Sequence, residues 1–367
     1  MLIRLAHPED GGPAAEIYRP AVAERATSFE LAPPDAAEMS KRISATLEQF
    51  PCIVAEADGR IAGYAYAGAH RTRAAYQWSV DVSAYVREDA HRHGVGRALY
   101  EALFRLLVLQ GYTNAYAGIT LPNAASEGFH RGMGFTPVGV YRGVGFKQGR
   151  WHDVGWFERL LAPRDDNPPY PIPLGSLRGT PLVDAALRGD PTPRLRLARP
   201  ADVPALTALL DASVRGLSPA FYSQPQIDSA LRNLLGTDTQ LITDGTYYVA
   251  EIGDELAAAG GWSRRLTLHG GDQAKHGPDP LIDPRSEPAR LRAFFVHPRW
   301  ARRGLATWLF QECSIAARAA GFAAFELTAT LPGEPLYATL GFAVVERSAV
   351  PLPDGLELPI ARMHRAL

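Results

Sequence analysis

An internal repeat constrains the architecture of this chain more than any other feature. Residues 3–10 read I-R-L-A-H-P-E-D, and residues 195–202 read L-R-L-A-R-P-A-D. Further on, the stretches from Gly94 to Pro122 and from Gly304 to Pro332 have the same length, and each is followed by a Gly-Phe pair. Self-similarity at a period of about two hundred residues indicates two duplicated domains rather than a solenoid.

Each copy predicts the order strand, glycine turn, helix, strand. In the first copy, Val82–Val86 reads as a strand and Gly94 opens a helix that ends near Gly111. Val95, Leu99, Leu103 and Leu106 follow the helical period, and a strand is expected next at 115–120. The second copy predicts the same helix between Gly304 and Gly321 and the strand at 325–330.

The repeat sets the domain bounds. A chain of 367 residues exceeds one comfortable hydrophobic core. We predict one domain at 1–162, a Pro-rich linker at 163–193 and a second domain at 194–367. Proline density makes the linker semi-rigid, with at most a short helical turn at 183–187. The Gly-, Asp- and Pro-rich stretch 269–288 predicts a long surface loop.

Composition excludes several classes of partner. The net charge is −1 with 21% charged residues and no long basic stripe, which argues against nucleic acid and anionic membranes. The apolar stretches are too short to span a bilayer. Two distant cysteines, Cys52 and Cys313, fit a reducing cytosol and buried thiols. We predict a cytoplasmic protein without a metal site.

The glycine turn Gly94-Val95-Gly96 carries the first chemical signal. The first N–H groups of a helix have no intrahelical partner, and with the helix dipole they form an anion site. Nearby Arg92 and Arg97 add positive charge, so a pyrophosphate is the expected guest. By itself such a turn more often has a purely structural role. Leu99 stands where a dinucleotide fingerprint needs a third glycine.

In context, this arrangement resembles the acyl-CoA motif of the GNAT superfamily, over both halves of the chain. The resemblance implies an α/β fold class with two tandem GNAT folds, each a mixed, mostly antiparallel central sheet flanked by helices. It also implies acetyl-CoA as cofactor. Both copies depart from the family pattern at its first position, where His91 and Ala301 replace Arg or Gln. The implied cofactor-binding residues are Ala84, Tyr85, Val86, His91, Arg92, His93, Gly94, Val95, Gly96, Arg97, Asn123 and Ser126, and, in the second domain, Phe295, Val296, Arg302, Arg303, Gly304, Leu305, Ala306 and Thr307.

The first domain is similar to phosphinothricin acetyltransferases and their relatives that act on amino-acid analogues. The most specific match is residues 145–155, G-F-K-Q-G-R-W-H-D-V-G, supported by Ala75-Tyr76-Gln77-Trp78 and Leu121-Pro122-Asn123. The resemblance implies N-acetylation of the primary amine of a small acidic amino acid or analogue. Acetylation of a protein N-terminus, a lysine or an antibiotic is the alternative.

An alkyl amine is protonated at neutral pH, so a base must remove its proton before attack. By the resemblance, Asp81 stands where the family has a Glu base, and His152 is a second candidate. His130 occupies the place of a general acid, and Asn123 that of a pantetheine ligand. The alternatives are a solvated carboxylate for Asp81, structural histidines for His152 and His130, and a helix cap for Asn123.

The same resemblance places Phe29, Arg71, Arg73 and Tyr76 in the substrate pocket. Arginine pairs bidentately with carboxylate or phosphinate groups, which suits an acidic amino acid. As isolated features, the two arginines would more often be solvated loop charges.

In the second domain, Tyr337 keeps the place of the general acid. Counting back equally from each glycine turn puts Leu291 where Asp81 sits, so no carboxylate occupies the base position. The second domain is therefore either an enzyme of different substrate or a non-catalytic CoA-binding or sensor module. A homodimer or an intramolecular pseudo-dimer of the two domains is the expected assembly.

Overall fold

The computed structural model describes residues 1–275 and 279–367. The chain forms two compact units, one made of residues 1–165 and 171–192 and the other of residues 166–170 and 193–367. Each unit is built around one seven-stranded sheet.

In the first unit the sheet has the order β1-β2-β3-β4-β5-β7-β6. β4 and β5 are parallel neighbours, and the other neighbours are antiparallel. The elements are β1 (Leu2–Leu5), α1 (Gly11–Ala23), α2 (Ala36–Gln49), β2 (Cys52–Ala57), β3 (Arg60–Ala69), β4 (Ser79–Val86), α3 (Val95–Gln110), β5 (Asn114–Leu121), α4 (Ala124–Gly132), β6 (Thr136–Lys147), β7 (Arg150–Leu160) and α5 (Pro181–Arg188).

The second unit repeats this topology, with the sheet order β8-β9-β10-β11-β12-β14-β13. Its parallel pair is β11 and β12, which correspond to β4 and β5. The elements are β8 (Arg194–Leu197), α6 (Val203–Leu217), α7 (Gln224–Asn233), α8 (Thr239–Thr243), β9 (Tyr247–Ile252), β10 (Glu255–Ser263), β11 (Ala289–Val296), α9 (Leu305–Ala319), β12 (Ala324–Thr330), α10 (Glu334–Thr339), β13 (Ala343–Pro351) and β14 (Glu357–Ala366). The predicted fold class of two tandem mixed sheets with flanking helices is confirmed.

The helix after the glycine turn forms as its pattern predicts. Val95, Leu99, Leu103 and Leu106 are all at most 4% exposed, so this stripe of α3 faces the core. Gly111 ends the helix in the left-handed region, with φ 95°, a conformation that glycine adopts without a steric penalty.

The Pro-rich segment differs from a plain linker. Residues 171–192 belong to the first unit, and the helix within them runs from Pro181 to Arg188, longer than the short turn that the sequence indicates. Leu182, Val183 and Ala186 form a buried apolar stripe, and the Arg105 side chain of α3 donates a hydrogen bond to the Ala186 carbonyl. Because this stripe is apolar, the segment packs against the first unit instead of forming an extended linker.

The stretch 269–288 contains no strand or α-helix among its described residues, as a surface loop requires. Residues 276–278 of this predicted loop lie outside the described part of the chain. Before it, Arg265 forms an isolated bridge with Leu281, and the Arg265 guanidinium bonds Asp244 at 2.6 Å.

Both cysteines are buried and unpaired, and burial raises the pKa of each thiol. Of the helices in residues 1–275 and 279–367, none combines the length and the apolar character that crossing a bilayer requires.

One buried carboxyl makes the stability of the second unit depend on pH. Glu312 on α9 is fully buried, and its Oε1 accepts a hydrogen bond from the Tyr170 N–H at 3.0 Å. Burial raises the pKa of Glu312 to about 8, because a charge is costly in a low-dielectric interior.

We therefore expect Glu312 to favour the folded state below its unfolded pKa, and this contribution to be lost as pH rises through about 8. Glu312→Gln keeps the acceptor for Tyr170 and removes the titration. Between pH 5 and 8, the free energy of unfolding of the variant should rise relative to that of wild type by up to about 1.4 kcal/mol per pH unit. Glu357→Gln, at an exposed site, is the control. Denaturant unfolding at several pH values that gives parallel curves for wild type and Glu312→Gln would contradict this assignment.

Candidate active site

The two parallel strands of the first unit separate soon after they meet. β4 pairs with β5 at Ser79, Val80 and Asp81, while β4 continues to Val86 and β5 to Leu121. The edge of β4 beyond Asp81 therefore presents backbone N–H and C=O groups to a gap rather than to a strand. Ala84, Tyr85 and Val86, predicted to bind the cofactor, lie on this edge. The second unit opens in the same way, since β11 and β12 pair only at Ala289 and Arg290, with Phe295 and Val296 beyond.

The glycine turn stands at the open end of this gap. Arg92 and Gly94 both have left-handed backbones, with φ 65° and 80°, and α3 begins at Val95. Alternating backbone signs of this kind turn successive N–H groups toward one concavity, which with the helix N-terminus suits an anion. The side chains of Arg92, His93 and Arg97 are exposed around it. Gly96 packs against Phe129 of α4 so closely that a Cβ would lie 3.3 Å from the ring, a tight contact.

His91 has a structural partner. Its Nε2 lies 2.9 Å from the Val86 carbonyl oxygen, so the ring holds the turn against the end of β4. A phosphate contact from this ring stays a prediction.

The turn of the second unit has the same backbone. Arg302 has φ 63° and Gly304 has φ 88°, and α9 begins at Leu305. The Arg303 guanidinium lies over the Trp300 ring at 4.7 Å. Ala306 and Thr307 follow in the first turn of α9. The repeat thus extends to backbone angles, which spacing alone cannot establish.

α4 is fixed by its own polar residues. The Asn123 side chain accepts a hydrogen bond from the Ser126 N–H at 3.1 Å, which confirms the capping role that the sequence allows. His130 is buried, with Nδ1 2.8 Å from the Ser126 carbonyl oxygen and Nε2 3.1 Å from the Tyr100 hydroxyl. Burial lowers the pKa of His130, against the effect of the Ser126 hydrogen bond. Both ring nitrogens thus have protein partners, which suits the structural alternative; the general-acid role stays a prediction.

Asp81 does not act alone, because a histidine that the sequence analysis missed is bonded to it. His70 Nδ1 lies 2.6 Å from Asp81 Oδ1, at the point where β4 and β5 part. The carboxylate accepts from Nδ1–H, so Nε2 is the ring atom that can accept a proton. Burial raises the pKa of Asp81, while the His70 hydrogen bond and charge and the Arg71 charge lower it. The β3–β4 hairpin register sets Gly68 opposite Asp81, so His70, two residues further on and just past the end of β3, is the diagonal neighbour of Asp81 on the same face.

The His70 ring sits in an aromatic surround that includes one predicted substrate residue. It stacks on Tyr116 at 4.2 Å and meets the edges of Trp156 and Tyr76 at 5.9 and 6.1 Å. Arg71 lies over the Trp156 ring at 5.5 Å and donates a hydrogen bond to the His70 carbonyl. Asp81, Arg71 and Tyr76 are therefore brought together. Arg73 is exposed and precedes the short helical turn that holds Tyr76.

Phe29 and His152 form a separate group. The His152 ring is buried, with Nε2 3.0 Å from the Lys147 carbonyl oxygen and its centre 6.2 Å from that of Phe29. The Phe29 ring lies so close over Gly145 that any Cβ there would overlap it. The Lys147 ammonium donates to the Val22 and Ser28 carbonyls and so anchors this corner to the last turn of α1 and to the segment after it.

Sheet register separates the two predicted bases. Asp81 pairs with Tyr116, and Tyr116 pairs with Glu158, six residues along β7 from His152. At ~3.3 Å per residue the two positions lie about 20 Å apart along the sheet. One amine nitrogen therefore cannot contact the Asp81 and His152 side chains at the same time. A substrate that reaches both must span much of this distance, or contact the His70 ring in place of Asp81.

The count that places Leu291 opposite Asp81 is wrong, because β11 contains a β-bulge. Ala259 pairs with Phe295 but Gly261 pairs with Arg292, so one residue of β10 faces two of β11, and Ala293 has φ 54°. β4 has no such insertion against β3. The register equivalent of Asp81 is consequently Arg290, which pairs with Glu326 as Asp81 pairs with Tyr116. Leu291 faces the core at 3% exposure.

Arg290 reverses the charge of the corresponding position. Its guanidinium bonds Glu326 at 2.6 Å and Glu287 at 2.9 Å. Arg290 and Glu326 occupy the point of strand separation in the second unit, where the first unit has Asp81 and His70. Tyr337 of α10 contacts Phe294 and Phe342 edge-on, and burial raises the pKa of its hydroxyl.

Comparisons with known proteins agree with this architecture. Residues 3–156 match the family description "Acetyltransferase (GNAT) domain", and residues 281–351 match a second family of the same description.

Among curated proteins, the first half is similar to phosphinothricin N-acetyltransferases. The protein of Streptomyces viridochromogenes is 33% identical over 171 residues, which are 46% of this chain and 93% of that protein. The protein of Alcaligenes faecalis is 37% identical over 169 residues, or 46% and 86% of the two chains. An L-methionine sulfoximine/L-methionine sulfone acetyltransferase of Pseudomonas aeruginosa is 34% identical over 154 residues, or 41% and 90%.

A solved structure of a GNAT superfamily phosphinothricin acetyltransferase from Sinorhizobium meliloti, in complex with AcCoA, is 33% identical. It covers 45% of this chain and 94% of its own, with a TM-score of 0.43. The sequence matches, the duplicated sheet and the duplicated glycine turn lead to one conclusion: the chain belongs to the GNAT family of N-acetyltransferases, with one such domain in each half.

Proposed function

We propose that the first domain transfers an acetyl group from acetyl-CoA to the primary amine of a small acidic amino acid or amino-acid analogue, of the phosphinothricin or methionine sulfone kind. The observation that carries this proposal is the His70–Asp81 pair at the point where β4 and β5 separate. The curated relatives named above act on such compounds, which supports the substrate class.

The residues of the first domain fit acetyl-CoA. GNAT acetyltransferases use this cofactor, which supplies the activated acyl group as a thioester. The turn from His91 to Arg97 offers helix N–H groups and two guanidinium groups to the pyrophosphate. The open edge from Ala84 to Val86 offers backbone groups to the pantetheine amides and N–H donors to the acyl oxygen as negative charge develops on it.

The His70–Asp81 pair handles the proton of the acceptor. His70 Nε2 takes a proton from the ammonium group, directly or through one water, and Nδ1–H stays bonded to Asp81. The carboxylate fixes the tautomer and stabilises the imidazolium that forms. Asp81 is one methylene shorter than a glutamate, and the His70 ring extends its reach toward the gap.

The remaining residues divide between binding and support. Arg71, Arg73 and Tyr76 bind the anionic end of the acceptor, because Arg71 and Tyr76 flank the His70 ring. Phe29 and His152 shape the far wall, which Lys147 anchors. In this assignment His152 affects substrate binding more than proton removal.

The substrate class is tested by comparing acceptors on one enzyme. We expect kcat/KM for phosphinothricin and methionine sulfone to exceed that for spermidine or a cationic aminoglycoside, because the pocket presents arginines. Arg71→Met should lower kcat/KM for the acidic acceptors by roughly 10-fold or more, the value of a lost charged hydrogen bond. Lys41→Met, remote on α2, is the control. A wild-type preference for polyamines would overturn the substrate assignment.

The base assignment predicts a loss in kcat rather than in KM. His70→Ala and Asp81→Asn should each lower kcat by about 10²–10⁴-fold, since a positioned base contributes on that order. His7→Ala, an exposed histidine of the same unit, should leave kcat within a factor of about two. If His152→Ala abolishes turnover while His70→Ala does not, His152 rather than His70 removes the proton of the amine, and the base assignment is wrong.

A further inference from the structure

The second domain contains a cavity where β11 and β12 separate. Its volume is about 230 Å³, a little below the usual range of ligand pockets, which begins at ~300 Å³. Most of its lining is apolar and comes from α6, α7, β11 and α10. The apolar side chains that bound the part away from the glycine turn are Val214, Leu217, Ile227, Leu235, Leu268 and Phe294.

The charges around this cavity are balanced within the protein. No Asp, Glu or Lys is among its described lining residues, and Arg292 is the lining residue with a full charge. The Arg292 guanidinium is 3% exposed and lies 2.8 Å from Asp238 Oδ2, which is itself buried. An acceptor carried into this cavity therefore meets neither a net anion nor an unpaired cation.

A histidine reaches the cavity from the loop that follows β10. His269 Nδ1 lies 3.4 Å from the Thr328 hydroxyl on the β12 side of the gap. Burial and the nearby Arg292 charge lower the pKa of His269, so its neutral form is favoured at neutral pH. A neutral imidazole at the mouth of a thioester site is a proton acceptor.

Tyr337 lines the same cavity from α10. Its ring meets Phe294 of β11 edge-on at 6.3 Å, and its hydroxyl stays protonated because burial disfavours the phenolate. One cavity thus holds a proton acceptor and a proton donor on different elements, beside the open edge of β11 that leads to the turn at Gly304.

We propose that the second domain is a separate acetyltransferase site whose acceptor is a primary amine on an uncharged, apolar body, with His269 as its catalytic base. This goes beyond the function proposed for the first domain, since it concerns another site and another acceptor. The first domain places Arg71 beside its base, whereas the cavity that His269 reaches in the second has a mostly apolar lining and an arginine paired with Asp238.

The protein supplies every group that the transfer needs. The amine nitrogen forms a C–N bond to the acyl carbon as the C–S bond of the thioester breaks. The amine enters as an ammonium, whose first proton passes through His269 to water. Once the nitrogen has attacked, His269 takes its second proton, and Tyr337 gives its phenolic proton to the departing sulfur. Water then carries the proton from His269 to the phenolate, so both residues return to their starting states.

The test uses the full chain with the first site disabled by Gly94→Glu. The new carboxylate lies in the anion-binding turn, at a position with φ 80° and open space around it. We expect this variant to bind CoA by calorimetry and to acetylate 2-phenylethylamine faster than methionine sulfone or spermidine. If Gly94→Glu unfolds, as judged by circular dichroism, Arg97→Glu on the exposed first turn of α3 replaces it.

In that background, His269→Ala should lower turnover of 2-phenylethylamine by about 10²-fold while CoA affinity stays within about threefold. His364→Ala, an exposed histidine of β14, should change neither quantity. CoA binding without acetylation of any of the three amines would make the second domain a sensor and overturn the proposal. Preference for methionine sulfone or spermidine, or full turnover in His269→Ala, would overturn it equally.

Discussion

The site in each half depends on one feature of the sheet, the separation of two parallel strands soon after they meet. Pairing ends at Asp81 in β4 and at Arg290 in β11, and each strand then continues for several residues. Unpaired backbone groups are costly when buried, so such an edge persists only if a ligand or water satisfies it. The glycine turn at the end of each strand faces the same opening, which aligns an anion site with an extended row of donors and acceptors.

The shared framework and the unshared chemistry have different physical origins. The turn needs left-handed backbone at two positions, and Arg92 with Gly94 and Arg302 with Gly304 meet this need equally. At the point of separation, by contrast, side chains are free to differ. The first domain has the His70–Asp81 pair there, and the second has Arg290 bonded to Glu326 and Glu287. The two domains therefore share the backbone of the glycine turn but carry different charges where their parallel strands separate.

Much of the fold could be predicted from local pattern. The repeat, the period of α3, its glycine end and the capping role of Asn123 depend on residues near each other in sequence. The bulge at Ala293 could not be predicted. It is an irregularity in the pairing of β10 with β11, and it does not change the spacing of motifs along the sequence. His70 was missed for a related reason: its link to Asp81 follows from hairpin register and crosses eleven residues. The helix α5 was underestimated because proline density hid the apolar stripe of Leu182, Val183 and Ala186.

We propose that each half of the chain holds its own acyl-CoA site. The most direct measurement is the stoichiometry of CoA binding to the full wild-type chain by isothermal titration calorimetry, repeated with Gly304→Glu. The duplicated turns predict two equivalents per wild-type chain and one for the variant. A single equivalent in wild type that Gly304→Glu leaves unchanged would contradict the claim and leave the second domain without a cofactor site.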